Sequence, residues 1–237
     1  MHKIRISDEI IERVMKRRGR YHLFDSFDPA KCALVVIDMQ NAFCKPGAPA
    51  EVPVSRGTID NINRLARELR NRGGDVIWIV SEFHVNGGKS EWENFFNNMV
   101  FGEVRERTMQ YMAPGQEGGK LWHELETDED DIHLVKNRYG CLSPGASKLE
   151  RVLRSRAIET LLIAGTKTNI CCETAARTAF DLDFNVVLIE DCCSTLSDRE
   201  HQATLETIIQ QFGDVMTGQE FIERCVKSGD YADEKRR

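Results

Sequence analysis

Three side chains able to do chemistry stand where apolar runs end. Asp38 closes Cys32-Ala-Leu-Val-Val-Ile-Asp38, Lys136 closes Ile132-His-Leu-Val-Lys136, and Cys171 follows an apolar run that stops at Gly165 and turns through small polar residues. A carboxylate, an ammonium and a thiol form a set suited to nucleophilic catalysis. The carboxylate can accept the thiol proton, the ammonium favours the thiolate, and a helix N-terminus adds to both. Such a thiolate attacks an acyl carbon, and the same carboxylate can protonate a departing amine and then activate water against the thioester. No cofactor is needed. Each residue also has an unreactive reading: a buried structural cysteine, an aspartate capping the loop from Gln40, a solvated lysine at a strand end. Cys172 is the rival nucleophile; adjacent helical residues point about 100° apart, so only one of the two can face a site.

The elements that must position these groups alternate between strand and helix. Continuous apolar runs at 32–38, 75–80, 132–136, 160–164 and 185–190 read as strands buried on both faces, with a further short strand at 214–216. Helical spacing marks 58–72, 146–155, the stretch after Cys171 with Asn169 as its N-cap, 199–212 and 218–227. A short helix is expected within 119–125, and 191–198 reads as a loop. This order predicts an α/β fold, a three-layer doubly wound parallel sheet with helices on both faces. With strand order 3-2-1-4-5, Asp38 and Cys171 meet at the switch point. The aromatic-rich insertion 85–117 carries Trp92, Phe95, Phe96, Phe101 and Tyr111, and an excursion of that length from a βαβ unit points to function.

Composition narrows the partners. The 237 residues, 41% of them hydrophobic, suit one α/β domain, 29–227, preceded by a helical arm, 1–28, and followed by a flexible tail, 228–237. A net charge of −6 argues against nucleic acid. No apolar run is long enough for a membrane span, and the first residues lack a signal-peptide core, so a cytoplasmic protein with no membrane partner is expected. The eight cysteines include no Cys-x-x-Cys, which argues for reduced thiols. In the N-terminal helix, with Ser7 as N-cap, Ile10, Ile11, Val14 and Met15 need a partner surface, either the domain itself or another subunit, and a homo-oligomer, dimer or tetramer, is expected.

Three stretches, in order, resemble the motifs of the isochorismatase-like cysteine hydrolases. Val-Val-Ile-Asp-Met-Gln-Asn-Ala-Phe43 is similar to the family's aspartate motif, Leu-Val-Lys-Asn-Arg-Tyr139 to its lysine motif, and Gly-Thr-Lys-Thr-Asn-Ile-Cys171 to its nucleophile motif. The resemblance runs from about Cys32 to Glu220. It implies about six parallel strands, a triad of Asp38, Lys136 and Cys171, and a non-proline cis peptide between Thr166 and Lys167. The motif spacing from Gly165 selects Cys171 over Cys172. The backbone N–H groups of Lys167 and Cys171 are the expected oxyanion donors. Phe43, Arg138, Tyr139 and Asn169 are expected near a small-molecule substrate, with Arg138 able to hold a carboxylate. Asp191 reads as structural.

Within the family the flanks look most like the ureidoacrylate and N-carbamoylsarcosine amidohydrolases, although the insertion 85–117 matches poorly. Nicotinamidases of the family hold a metal with an Asp-x-His pair and a further histidine. Here the matching stretch is Glu82-Phe-His84, the next histidine is His123, and no metal is expected. His84 is expected to be packed or to face substrate. The leading function is hydrolysis of a small linear amide, ureido or carbamoyl compound with release of ammonia. The alternatives are an isochorismatase-type vinyl-ether hydrolase and a non-catalytic interaction protein on the same fold.

Overall fold

Cys-Ala-Leu-Val-Val-Ile offers no polar face to water, and in the computed structural model, which describes residues 2–225, it forms the central strand β1 (Cys32–Ile37), buried at every position. Its alternate side chains feed two cores. Ala33, Val35 and Ile37 enter the cluster on one face of the sheet, and Leu34 and Val36 the cluster on the other. The remaining strands are β2 (Asp75–Ser81), a small hairpin of β3 (Val85–Asn86) and β4 (Lys89–Ser90), β5 (Ile132–Lys136), β6 (Thr160–Thr166), β7 (Asn185–Ser194) and β8 (Asp214–Met216). All but the hairpin join one sheet in the order β5-β2-β1-β6-β7-β8. Every pairing in it is parallel. The chain is therefore the expected doubly wound α/β fold, with β1 and β6 adjacent at the switch point.

The helices are α1 (Asp8–Arg18), α2 (Asn41–Cys44), α3 (Ile59–Asn71), α4 (Glu93–Asn98), α5 (Gly102–Tyr111), α6 (Leu149–Ser155), α7 (Glu173–Asp181), α8 (Asp198–Gln211) and α9 (Gly218–Glu223). On one face α3 buries Ile59, Ile62, Leu65, Ala66 and Leu69, with Phe221 of α9 in the same cluster. On the other face lie Leu149 and Leu153 of α6, Ala175, Ala176 and Ala179 of α7, and Leu205, Ile208 and Ile209 of α8. Each large aliphatic side chain so buried contributes roughly 1.5–3 kcal/mol. The insertion builds a third, smaller cluster of Phe83, Phe96, Met109 and Met112.

Several sequence expectations are corrected. Of the two surfaces open to the N-terminal helix, the domain itself takes it: Ile10 and Val14 are buried in the chain's own core, and Arg13 and Arg17 tie α1 to Gln210 of α8 at 3.0 and 2.9 Å. α1 thus packs against the domain. Ser7 stands at the N-cap of α1, but its side chain makes no cap bond; its N–H donates to Glu206 Oε1 at 2.9 Å. No helix forms over 119–125, because loop 39–41 claims that backbone: Asn41 N–H donates to Lys120 O, Trp122 N–H to Met39 O, and Gln40 Nε2 to Gly118 O. The helix expected from 146 begins at Leu149, after turns closed by Ser143 and Ser147. β7 runs on through 191–194, where a loop was expected, by shifting register so that Gly165 pairs with Cys193 and Thr166 with Ser194. The expected tail, 228–237, and the end of the last helix at Lys227 lie outside the described residues.

Candidate active site

β1 ends because Asp38 turns out of the strand with φ +57°, a left-handed conformation that aspartate tolerates better than most residues. Its N–H still donates to Ile79 O of β2 at 2.8 Å, so the carboxylate is held beside the end of that strand. Two residues further along, Ser81 is the register partner of Lys136 on β5. Lys136 Nζ donates to Ser81 Oγ at 2.7 Å and to Arg138 O at 3.1 Å, and Ser81 Oγ donates to Asp38 Oδ1 at 2.8 Å. Lys136 Nζ also lies 2.9 Å from Asp38 Oδ2, an ion-pair distance at an angle that leaves this oxygen without a formed hydrogen bond. Cys171 Sγ, 3.6 Å from the same ammonium, completes the cluster. The side chains of Asp38 and Lys136 and the whole of Cys171 are 0%, 1% and 5% exposed.

The cysteine reaches this position through an unusually tight approach of β6 to β1. Gly165 has φ +112°, and a Cβ there would stand 2.0 Å from Ile37 O, so no other residue fits. The next bond, Thr166-Lys167, is cis as the resemblance implies. The chain then makes a wide turn, Thr168–Cys172, in which Cys172 N–H bonds Lys167 O five residues back at 3.2 Å, before α7 begins. Asn169 is therefore not the N-cap of a regular helix. Its Oδ1 accepts from Thr195 Oγ1 at 2.7 Å, and it does not line the cavity. Cys172 is wholly buried, with Sγ 3.8 Å from Ala164 O, and Cys171 alone of the pair faces the cavity.

Electrostatics set the resting protonation. Burial pushes the Cys171 thiol well above its ordinary value; the Lys136 charge opposes this, and Asp38 adds to it by charge and by hydrogen bond. Burial thus works against the pull toward a thiolate that Lys136 and the start of the turn were expected to supply. Burial would lower Lys136, but the charges of Asp38 and Cys171 outweigh it and raise it, so the amine stays protonated. The buried ammonium and carboxylate compensate one another, leaving the thiol proton next to a carboxylate oxygen with a lone pair to spare.

Above the cluster lies a cavity of about 290 Å³, lined by Asp38, Ser81, Lys136, Cys171, Phe43, Arg138, Tyr139, Lys167 and the aromatic insertion. Phe43, Arg138 and Tyr139, three of the four residues expected near a substrate, line it, as does Lys167, while Asn169 does not. Trp92 packs edge-on to Tyr139 with ring centres 4.7 Å apart and stacks on Phe95 at 4.8 Å. Arg138 lies with its guanidinium 5.4 Å from the Trp92 ring centre and donates to Asn137 O at 2.6 Å and Glu91 O at 2.9 Å. His84 is exposed and off the cavity, neither packed nor facing a substrate site. Among the described residues no group of three histidine, cysteine, aspartate or glutamate side chains comes together to hold a metal ion.

Sequence reasoning missed Ser81 and Gln40. Gln40 is fully buried; its Nε2 donates to Ser81 O at 3.0 Å and its Oε1 accepts from Ser81 N–H at 2.6 Å, which fixes Ser81 under the lysine. The available signal was position: Ser81 ends an apolar strand run, as Asp38 and Lys136 do. Asp191, expected to be structural, accepts from the Gly218 N–H at 2.8 Å at the start of α9.

A six-stranded doubly wound sheet with a carboxylate, an ammonium and a thiol gathered at its switch point defines an α/β protein of the cysteine-hydrolase class. The chain belongs to the isochorismatase domain family, whose model matches residues 32–220. Its sequence is 31% identical over 205 residues to the ureidoacrylate amidohydrolase RutB of Rhizobium rhizogenes, covering 81% of this chain and 82% of that protein. It is 33% identical over 177 residues to RutB of Klebsiella pneumoniae, covering 70% and 74%. Among solved structures it resembles a cysteine hydrolase from Pseudomonas syringae pv. phaseolicola, with TM-score 0.72 and 25% identity over 84% of this chain and 94% of that one. No helix among the described residues is long and apolar enough to cross a membrane.

Proposed function

We propose that this protein is a cysteine amidohydrolase that cleaves a small linear amide, ureido or carbamoyl compound through a thioester and releases ammonia. The single observation that carries the reading is the buried cluster in which Lys136 Nζ touches Asp38, Ser81 and Cys171 at the base of a cavity. The likeness to amidohydrolases named for ureidoacrylate supports C–N cleavage.

The steps follow from the charges. As Cys171 Sγ attacks the substrate carbonyl, its proton passes to Asp38 and a C–S bond forms. Lys136, already protonated, offsets the negative charge that moves from carboxylate to sulfur and oxygen. The backbone N–H groups of Lys167 and Cys171 are the donors assigned to the developing oxyanion. Collapse breaks the C–N bond, and Asp38 hands its proton to the departing nitrogen, which leaves as ammonia. Water enters, Asp38 takes one of its protons, and a C–O bond replaces the C–S bond. The proton returns to sulfur, leaving the acid product and the starting thiol.

The test is ammonia release from a panel of ureido acids, carbamoyl amino acids and simple amides, with the acyl-enzyme trapped by acid quench and located by mass spectrometry. Ammonia together with an added mass on Cys171 equal to the substrate less ammonia is the expected result. Cleavage of isochorismate without ammonia would replace this reading with vinyl-ether hydrolysis, and binding without turnover of any compound would favour the interaction protein.

A further inference from the structure

The cavity carries more information about the substrate than the reactive cluster does. Beyond Asp38, Ser81, Lys136 and Cys171, its walls are mostly apolar, with Phe43, Phe83, Trp92, Phe95, Val100 and Met112 among them; Arg138, Tyr139, Lys167 and Thr108 are the polar side chains left on the lining. The cation expected to grip a carboxylate is already committed. Arg138 spends one terminal nitrogen on Asn137 O at 2.6 Å and the other on Glu91 O at 2.9 Å, and its guanidinium rests against Trp92. Those bonds tie the lysine-motif loop to the insertion, so freeing the arginine for a ligand would unfasten the wall it holds. Lys136 is neutralised by Asp38 at 2.9 Å and donates to Ser81 and Arg138 O besides. Lys167, the third cation on the lining, is partly exposed, where water weakens its pull on an anion.

A carboxylate entering this space would shed its hydration without gaining a paired, desolvated cation. An apolar group would lose nothing and gain aromatic contact. We infer that the part of the substrate that does not react is uncharged and apolar, so that the preferred substrate is a neutral aliphatic or aromatic amide or urea rather than a ureido acid. The inference rests on the amidohydrolase reading. A volume of about 290 Å³ sits at the small end of ligand sites, which limits the apolar group to a few carbons or one ring.

The experiment uses isosteres that differ in charge alone. 4-Methylpentanamide is compared with succinamate, and isobutylurea with N-carbamoylglycine, by ammonia release from the full chain. The neutral member of each pair is expected to have a kcat/KM higher by about tenfold or more, as for a buried group left unpaired. A second arm uses Val104→Arg, at a half-exposed position on the cavity rim where the fold tolerates a long side chain. It is expected to raise the acid-to-neutral ratio of kcat/KM by up to about fivefold, as suits a partly solvated ion pair. Equal or faster turnover of the acids by the parent protein overturns this inference and leaves the amidohydrolase reading standing. Ammonia from none of the four overturns both.

Discussion

Ser81 and Lys136 are register partners at the ends of neighbouring strands, and the hydroxyl of the one accepts from the ammonium of the other at 2.7 Å while donating to Asp38 at 2.8 Å. The serine is thus the bridge between the two charges of the site and sets how far the ammonium stands from the thiol. Ser81→Ala is expected to lower kcat about tenfold or more with little change in KM, because the buried ammonium loses a partner and settles more closely on Asp38. Ser81→Thr, which restores the hydroxyl, should recover most of the loss. A kcat unchanged in the alanine variant removes the bridging role.

Asp38 and Lys136 compensate each other with both side chains buried, so each single replacement costs stability as well as activity. Lys136→Ala leaves an uncompensated buried carboxylate and is expected to destabilise the fold by about 3–5 kcal/mol. The double variant Asp38→Asn, Lys136→Met should regain much of that stability while remaining inactive. Urea unfolding of the three proteins checks this; equal loss in single and double variants would mean that the charges do not pair.

Cys171→Ser is expected to abolish turnover and Cys172→Ser to retain much of it, because only Cys171 borders the cavity. Alkylation of Cys171 by iodoacetamide should be slow at neutral pH and rise as pH increases, since the buried thiol titrates well above its ordinary value. Peptide mapping that finds label on Cys172 with Cys171 untouched would reverse the assignment.

His201, buried behind the cysteine turn, lies with Nδ1 2.9 Å from Thr168 Oγ1 and stacks on His2 at 4.3 Å. Burial chiefly, helped by the charge of His2, pushes its pKa from 6.5 down to about 3. The folded state therefore refuses a proton that the unfolded chain accepts. The stability it contributes is complete above pH 6.5 and is lost as pH falls toward 3, at up to about 1.4 kcal/mol per unit. His201→Asn should flatten the acid limb of the stability profile between about pH 6 and pH 4, and an unchanged slope would contradict this.

Prolonged chelation is expected to leave turnover intact, since Glu82 and His84 find no third ligand among the described residues. Elemental analysis giving a stoichiometric metal would overturn that expectation.

Much of this was legible in the residues alone, for a local reason. A strand buried on both faces has to be continuously apolar, so the runs ending at Asp38 and Lys136 announced themselves, and the helical stripe of 58–72 reported the face that α3 buries. Because parallel strands all end at the same edge of the sheet, reactive groups at those ends had to converge, and the chain order of the motifs already paired Asp38 with Cys171. Only the tertiary structure decided the rest. Pairing register put Ser81 under Lys136, and nothing within either strand encodes that partnership. Loop 39–41 took the backbone of 118–122 and denied it a helix, a competition between segments far apart in sequence. Ile10 and Val14 advertised an apolar face but could not say whether it would meet another subunit or α8. Likewise Arg138 carried a charge visible to any reader, while its commitment to Glu91 O and Trp92 exists only once the insertion folds over the site. Propensity and periodicity act over a few residues, whereas these choices were made by groups brought together from across the chain.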